Sequence, residues 1–155
     1  MILPLSHNFQ VQHDPELRLM RFQWVGGPNS RGLRAGMRYS RDLVEKLHPH
    51  FVLVDFAGMP PVEMRDELWM SLHWFPRVSR RPLRGVAVMY PPTQLHNQMA
   101  VEAMLWVGRR FMQYQLQVFK SVPAAYDWFT GGDTAAGLRL EAEWEAAKAP
   151  LLLSI

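Results

Sequence analysis

FVLVDFAGMPPVEM, residues 51–64, joins a strand pattern to a helical one through a turn. Phe51 to Asp55 is a short, almost wholly apolar run. A run of that length suits a central strand buried on both faces, as in a parallel sheet. An acid, Gly58 and the Pro60-Pro61 pair then turn the chain out of the sheet. A helical pattern follows over about 62–75, and Pro76 stops or kinks it.

Working outward, the same grammar repeats. Upstream, FQVQHD alternates apolar and polar residues, and Asp14-Pro15 turns the chain. LRLMRFQWV (17–25) places Met20, Phe22 and Trp24 on one face and Leu19, Arg21 and Gln23 on the other. These two runs read as a hairpin. Asn29 or Ser30 is positioned to cap a helix to about His48, with Leu33, Met37, Ser40, Val44 and Leu47 on one side. Downstream, RGVAVMY (84–90) and YQLQVF (114–119) read as strands separated by a helix over about 94–112. Ser121 caps a last short helix, VPAAYDWF, before Gly131-Gly132. The expected fold is α/β: a mixed sheet of about five strands, with an N-terminal hairpin and then alternating helices and strands. Residues 1–132 form one domain, and 133–155 an acidic helical C-terminal tail that either frays or docks its Leu151–Ile155 end on the body or a partner.

Composition narrows the function. The chain has 155 residues, 48% of them hydrophobic, enough to bury a sizeable core. It has no cysteine, which excludes disulfides, thiol chemistry and thiolate-bound zinc. MILPLSHNFQVQHD lacks the pattern of a signal peptide, and no apolar run approaches the roughly 20 residues of a membrane span, so a cytoplasmic location is expected. The net charge is +3, and the tail opposes it: Arg139 and Lys148 stand there against four acids, a net −2. The basic excess of the body is weak, and no nucleic-acid footprint is expected.

Three stretches together resemble the STAS superfamily, closest to its SpoIIAA-like branch, which is related to the lipid-binding CRAL-TRIO fold. They are FVLVDFAGM, GVAVMY and VFKSVPAAYDWF, in that order, and the likeness covers roughly residues 8–130. The resemblance implies a serine switch near the start of the helix after the Asp-x-x-Gly strand end. Laying Asp55 and Gly58 on that pattern puts Glu63 on the acid before the switch and Met64 on the serine itself. Methionine cannot accept a phosphoryl group, so the switch is expected to be absent.

Candidate sites follow from what the folding pattern leaves over. Asp55 is a strand-end acid whose carboxylate is expected to accept hydrogen bonds from the turn. His48, His50 and His96 are isolated, and no metal site is expected. Arg31, Arg34, Arg38 and Arg41 form a stripe expected to be a solvated face, partly neutralised by Asp42 and Glu45. On the 62–75 helix, Met64, Leu68, Leu72 and Phe75 read as the core stripe. Trp69, Met70, His73 and Trp74 then lie off it, on a face that reads as an interface, the alternative being burial under the tail or a loop. The next helix is apolar nearly all round; Leu95, Met99, Ala103 and Trp106 make one side, and Met104 and Phe111 join the interface set. No nucleophile elbow, phosphate loop or metal-ligand spacing occurs. The expected function is therefore a non-enzymatic interaction or regulatory module without a cofactor, acting through a homodimer or another protein. The alternative is a module that binds a small apolar ligand or lipid.

Overall fold

A computed structural model describes residues 1–26, 31–55, 58–59, 62–79, 83–89, 99, 102–103, 106 and 115–153. The strands are β1 (Phe9–Asp14), β2 (Leu19–Trp24), β3 (Phe51–Asp55), β4 (Gly85–Met89) and β5 (Gln115–Phe119). They form one sheet in the order β1-β2-β3-β4-β5. β1 and β2 are antiparallel, and every later neighbour is parallel. The hairpin and mixed sheet are those that the alternation predicts.

This strand order dictates where the helices go. Right-handed crossovers between adjacent parallel strands, all stepping in one direction, run over the same face of the sheet. α1 (Leu33–Leu47) crosses from β2 to β3. A continuous helical segment crosses from β3 to β4: α2 (Met64–Trp69), one π-helical turn (Met70–Trp74) and α3 (Phe75–Ser79). Their buried residues Leu33, Met37, Val44, Met70, Trp74 and Val78 join Met20, Phe22, Val52, Val54, Val86 and Val88 in one core. α1 lies so close to β1 that a Cβ on Gly36 would stand 2.6 Å from the Phe9 ring. The helix begins after Gly32, whose φ of 80° needs glycine. Asn29 and Ser30 lie outside the described residues.

The opposite face is left for whatever follows β5. α4 (Val122–Thr130) starts on Ser121, whose side chain accepts a hydrogen bond from the Ala124 N–H, as the capping pattern predicts. Gly131, at φ 66°, ends it. α5 (Thr134–Leu153) then runs back over β1 and β2. Leu19, Leu53, Ala87 and Met89 meet Ala125, Tyr126, Phe129 and Leu140 there in a second core. The acidic tail therefore docks on the body, with Leu140 and Trp144 fully buried. The side chains of Leu151 to Ile155 lie outside the described residues. Among the described residues, no helix is long and apolar enough to cross a membrane.

Candidate functional site

Residues 56–57 and 60–61 of the turn, from which Asp55 is expected to accept hydrogen bonds, lie outside the described residues; across the sheet the same carboxylate meets a cation. Asp55 is buried, and its carboxylate faces Arg21 at 3.7 Å. The partner was readable in part: Arg21 and Asp55 have the same parity in β2 and β3, and Gln23, two residues on from Arg21, pairs with Asp55 across the parallel ladder. Gly58 takes φ 78°, a conformation suited to glycine. Glu63 stands at the N-cap of α2 and pairs with Arg65 at 3.2 Å. Met64 follows, 83% exposed at the place where the resemblance puts a switch serine. Ser71, the hydroxyl further along, is buried and donates to the Glu67 carbonyl at 3.0 Å.

Arg21 is the hub of a polar network between the sheet and α5. Its guanidinium lies 2.5 Å from Glu141, 3.4 Å from the Tyr126 hydroxyl and 3.9 Å from the centre of the Trp144 ring. Tyr126 donates to Gln12 Oε1 at 2.9 Å, and Gln12 Nε2 donates to the Leu140 carbonyl at 2.9 Å. Burial pushes the Tyr126 hydroxyl up to about 12 against the opposing pull of Arg21, so it stays a protonated donor. At the rim, Asp14 accepts from Arg139 at 2.8 Å. Burial pushes the Asp14 carboxyl up, but the Leu17 N–H together with Arg139 outweighs it and holds the group below its ordinary value. Glu143 behaves alike: burial raises it, while the Met1 ammonium, Gln12 and Arg139 win and lower it.

One end of this network is unfinished. Gln10 Nε2 and Oε1, Gln23 Oε1, Arg21 Nε and Trp144 Nε1 are buried without hydrogen-bond partners. A buried polar atom left unmet costs about 1–3 kcal/mol. Together they mark this corner as costly to build.

The helical segment over 64–79 corrects the expected interface. Met70 and Trp74 lie in the core, 1% and 2% exposed, and the Trp74 indole N–H donates to Ser40 Oγ at 3.1 Å. Met64, Leu68 and Leu72, expected to be core, are instead exposed. The side chain of Phe75 lies outside the described residues. Two apolar stripes spaced by four residues run along this segment, Met64/Leu68/Leu72 and Met70/Trp74/Val78, and periodicity cannot say which meets the sheet. A spacing of four holds one azimuth only if the helix is wider than 3.6 residues per turn, as the π-helical turn is. Pro76, which lacks an N–H and crowds the carbonyl four residues back, sits just after that turn and does not end the helix.

Trp69 is half-buried, with the guanidinium carbons of Arg34 and Arg38 5.5 Å and 5.3 Å from its ring centre. Arg34 also pairs with Asp66 at 2.9 Å, and Arg77 with Glu45 at 3.3 Å. Thus part of the arginine stripe clamps α1 to the next helical segment instead of facing only solvent. His73 is exposed beside Trp69, their rings 5.9 Å apart. Met104 and Phe111 lie outside the described residues. The described neighbours Met99, Ala103 and Trp106 are helical and exposed, at the i, i+4, i+7 spacing of one face.

No family model, curated protein or solved structure matches the chain. Among the described residues, no group of three His, Cys, Asp or Glu side chains is placed to hold a metal ion.

Proposed function

We propose that the chain is a non-enzymatic interaction module of STAS-like type that works as a homodimer through the outer side of its crossover helices. The observation that carries this reading is the exposed stripe Met64, Leu68 and Leu72, at 83%, 58% and 56% exposure. Three large apolar side chains in one line are unusual for a surface that meets only water. Trp106 and Met99 supply a second exposed stripe on the following connection. Right-handed crossovers between adjacent parallel strands pass over the same face of a sheet, which supports a shared outer surface for the two connections. A two-fold axis lets such a patch cover itself.

The fold supports the STAS-like part of the reading, with a β-hairpin, parallel strands and an Asp-ended β3 in the expected order. Met64 at the switch position carries no hydroxyl, so regulation by phosphorylation at that position is not part of the proposal. The Asp55 carboxylate is engaged by Arg21, which supports a structural role over a catalytic one.

The absence of cysteine makes a direct test simple. Leu68→Cys places a single thiol in the middle of the stripe. Under mild oxidation it should yield a disulfide-linked dimer at micromolar protein, whereas Glu145→Cys, on α5, should remain monomeric on a denaturing gel. Equal, slow crosslinking at both positions would contradict the proposal.

A further inference from the structure

The amino ends of the parallel strands carry a separate feature, independent of the dimer. Arg18, His50 and Arg84 each stand one residue before the start of β2, β3 and β4. The first strand residues are paired in the order Leu19, Phe51, Gly85, so the three basic residues form one rank across the sheet. The backbone ties them together: the His50 N–H donates to the Arg18 carbonyl and the Arg84 N–H to the His50 carbonyl, both at 2.7 Å. Neighbouring strands stand about 4.8 Å apart, and like charges side by side on a sheet destabilise it. Arg18 and Arg84 are exposed, and His50 is half-buried between them. Among the described residues, no carboxylate is paired with Arg18 or Arg84. The acids closest to Arg18 in sequence are turned elsewhere: Asp14 pairs with Arg139 at 2.8 Å, and Glu16 acts on the same guanidinium.

The imidazole in the middle records this field. Arg18 Nη1 lies 2.9 Å from His50 Nε2; a guanidinium can only donate, so Nε2 accepts and the ring proton sits on Nδ1. Burial, then the Arg84 and Arg18 charges from the two flanking strands, hold the ring below its ordinary value. We propose that this rank binds a phosphate dianion, free or carried on a small monoester. Charge and donors define the class. The two guanidiniums match the roughly −1.5 to −2 charge of a phosphomonoester at pH 7. Each is a planar fork suited to phosphate oxygens, and the imidazole between them adds a further donor. A phosphodiester brings a single charge and leaves one guanidinium uncompensated. The bound anion takes up the Arg18 donors, frees Nε2 and lets the ring gain a proton from solvent. Anion binding and protonation of His50 therefore favour each other. Asp55, whose carboxylate would repel such a ligand, stands at the opposite, carboxyl end of β3.

The test uses the full chain at fixed ionic strength, with inorganic phosphate and phenyl phosphate as probes and diphenyl phosphate as the monoanionic control. The readout is the His50 ring resonance in carbon–proton NMR, assigned by its loss in His50→Gln. At least one of the two probes should shift that resonance saturably and move its titration midpoint upward. Arg18→Gln and Arg84→Gln should each weaken binding about ten-fold, for one lost charge-assisted interaction. Arg84 is exposed and crowded by like charge, so Arg84→Gln should melt at or above the wild type, which separates lost binding from lost folding. Diphenyl phosphate should bind at least about ten-fold more weakly than the better probe. Equal affinity for the two probes assigns the site to the free ion, and tighter binding of phenyl phosphate assigns it to an organic monoester. The absence of any saturable shift at millimolar phosphate would overturn the proposal. So would an affinity unchanged in both arginine variants, or diphenyl phosphate binding as well as the dianions.

Discussion

The two faces of the sheet are closed by different chemistry. On the crossover face, valines from β3 and β4 meet Met37, Val44, Met70 and Trp74, and a single indole N–H finds a serine. On the other face, α4 and the first half of α5 cover an apolar patch, but over β1 and β2 the contact is made by Gln12, Arg21, Tyr126 and Glu141. The first face is covered because the connections between parallel strands must pass over it. The second is covered only because the chain continues past β5 and folds back. The contrast separates what the topology compels from what particular side chains must specify.

The largest effects come from breaking each face at its centre. Trp74→Ala on the crossover face should cost about 3–5 kcal/mol in denaturant unfolding, since the side chain is buried and its cavity cannot collapse between α1 and the sheet. Arg21→Ala on the other face should cost about 3 kcal/mol, because it leaves Asp55 buried without its guanidinium partner. The faces then part company. Replacing Arg21, Asp55 and Glu141 together by Met, Leu and Leu should recover most of that loss, since a buried ionic cluster is commonly no more stable than an apolar one of the same volume. No companion substitution should rescue Trp74→Ala in that way.

A smaller effect uses acid. Asp14 and Glu143 have lowered carboxyl values in the folded chain, and both hold α5 to β1. A lowered folded value means that the unfolded chain binds the proton more readily. This stabilisation is present above the unfolded value, near pH 4, and is lost as the pH falls through the folded values. Arg139→Gln should melt below the wild type at pH 7, and the gap should narrow as the pH falls below the ordinary carboxyl value, about 4, and through the lowered folded values. His13, also lowered, by burial and then by the Met1 ammonium, adds acid sensitivity of the same sign, but it is common to both proteins and cancels in the comparison.

The smallest effect on folding should come from the outer stripe. Leu68→Ser should change monomer stability by no more than about 0.5 kcal/mol, measured by urea unfolding at low protein concentration. Its near neighbour in sequence, Met70→Ala, should cost about 2–5 kcal/mol in the same assay.

Much of the fold was legible because strand patterns alternate with period two and the turns carry glycine, proline and caps. FVLVD reads as a central strand, and the Met20/Phe22/Trp24 parity predicts the face that joins the crossover core. The interface was less legible for a specific reason. Residues 64–78 carry two apolar stripes of equal spacing, and only the sheet, together with a π-helical turn ahead of Pro76, chooses between them. The Arg21 network was hidden for another reason. Its members come from β1, β2, β3, α4 and α5, up to 131 residues apart, and no local pattern ties Gln12 to Glu143. The one visible signal was an arginine and a glutamine on the second face of a strand whose first face is wholly apolar.

Sedimentation equilibrium of the wild type beside Leu68→Asp tests whether the outer stripe joins two copies of this chain. The wild type should sediment as a dimer of twice the 18.0 kDa chain and Leu68→Asp as a folded monomer. A wild-type protein that stays monomeric at tens of micromolar, or a Leu68→Asp protein that remains dimeric, would contradict it.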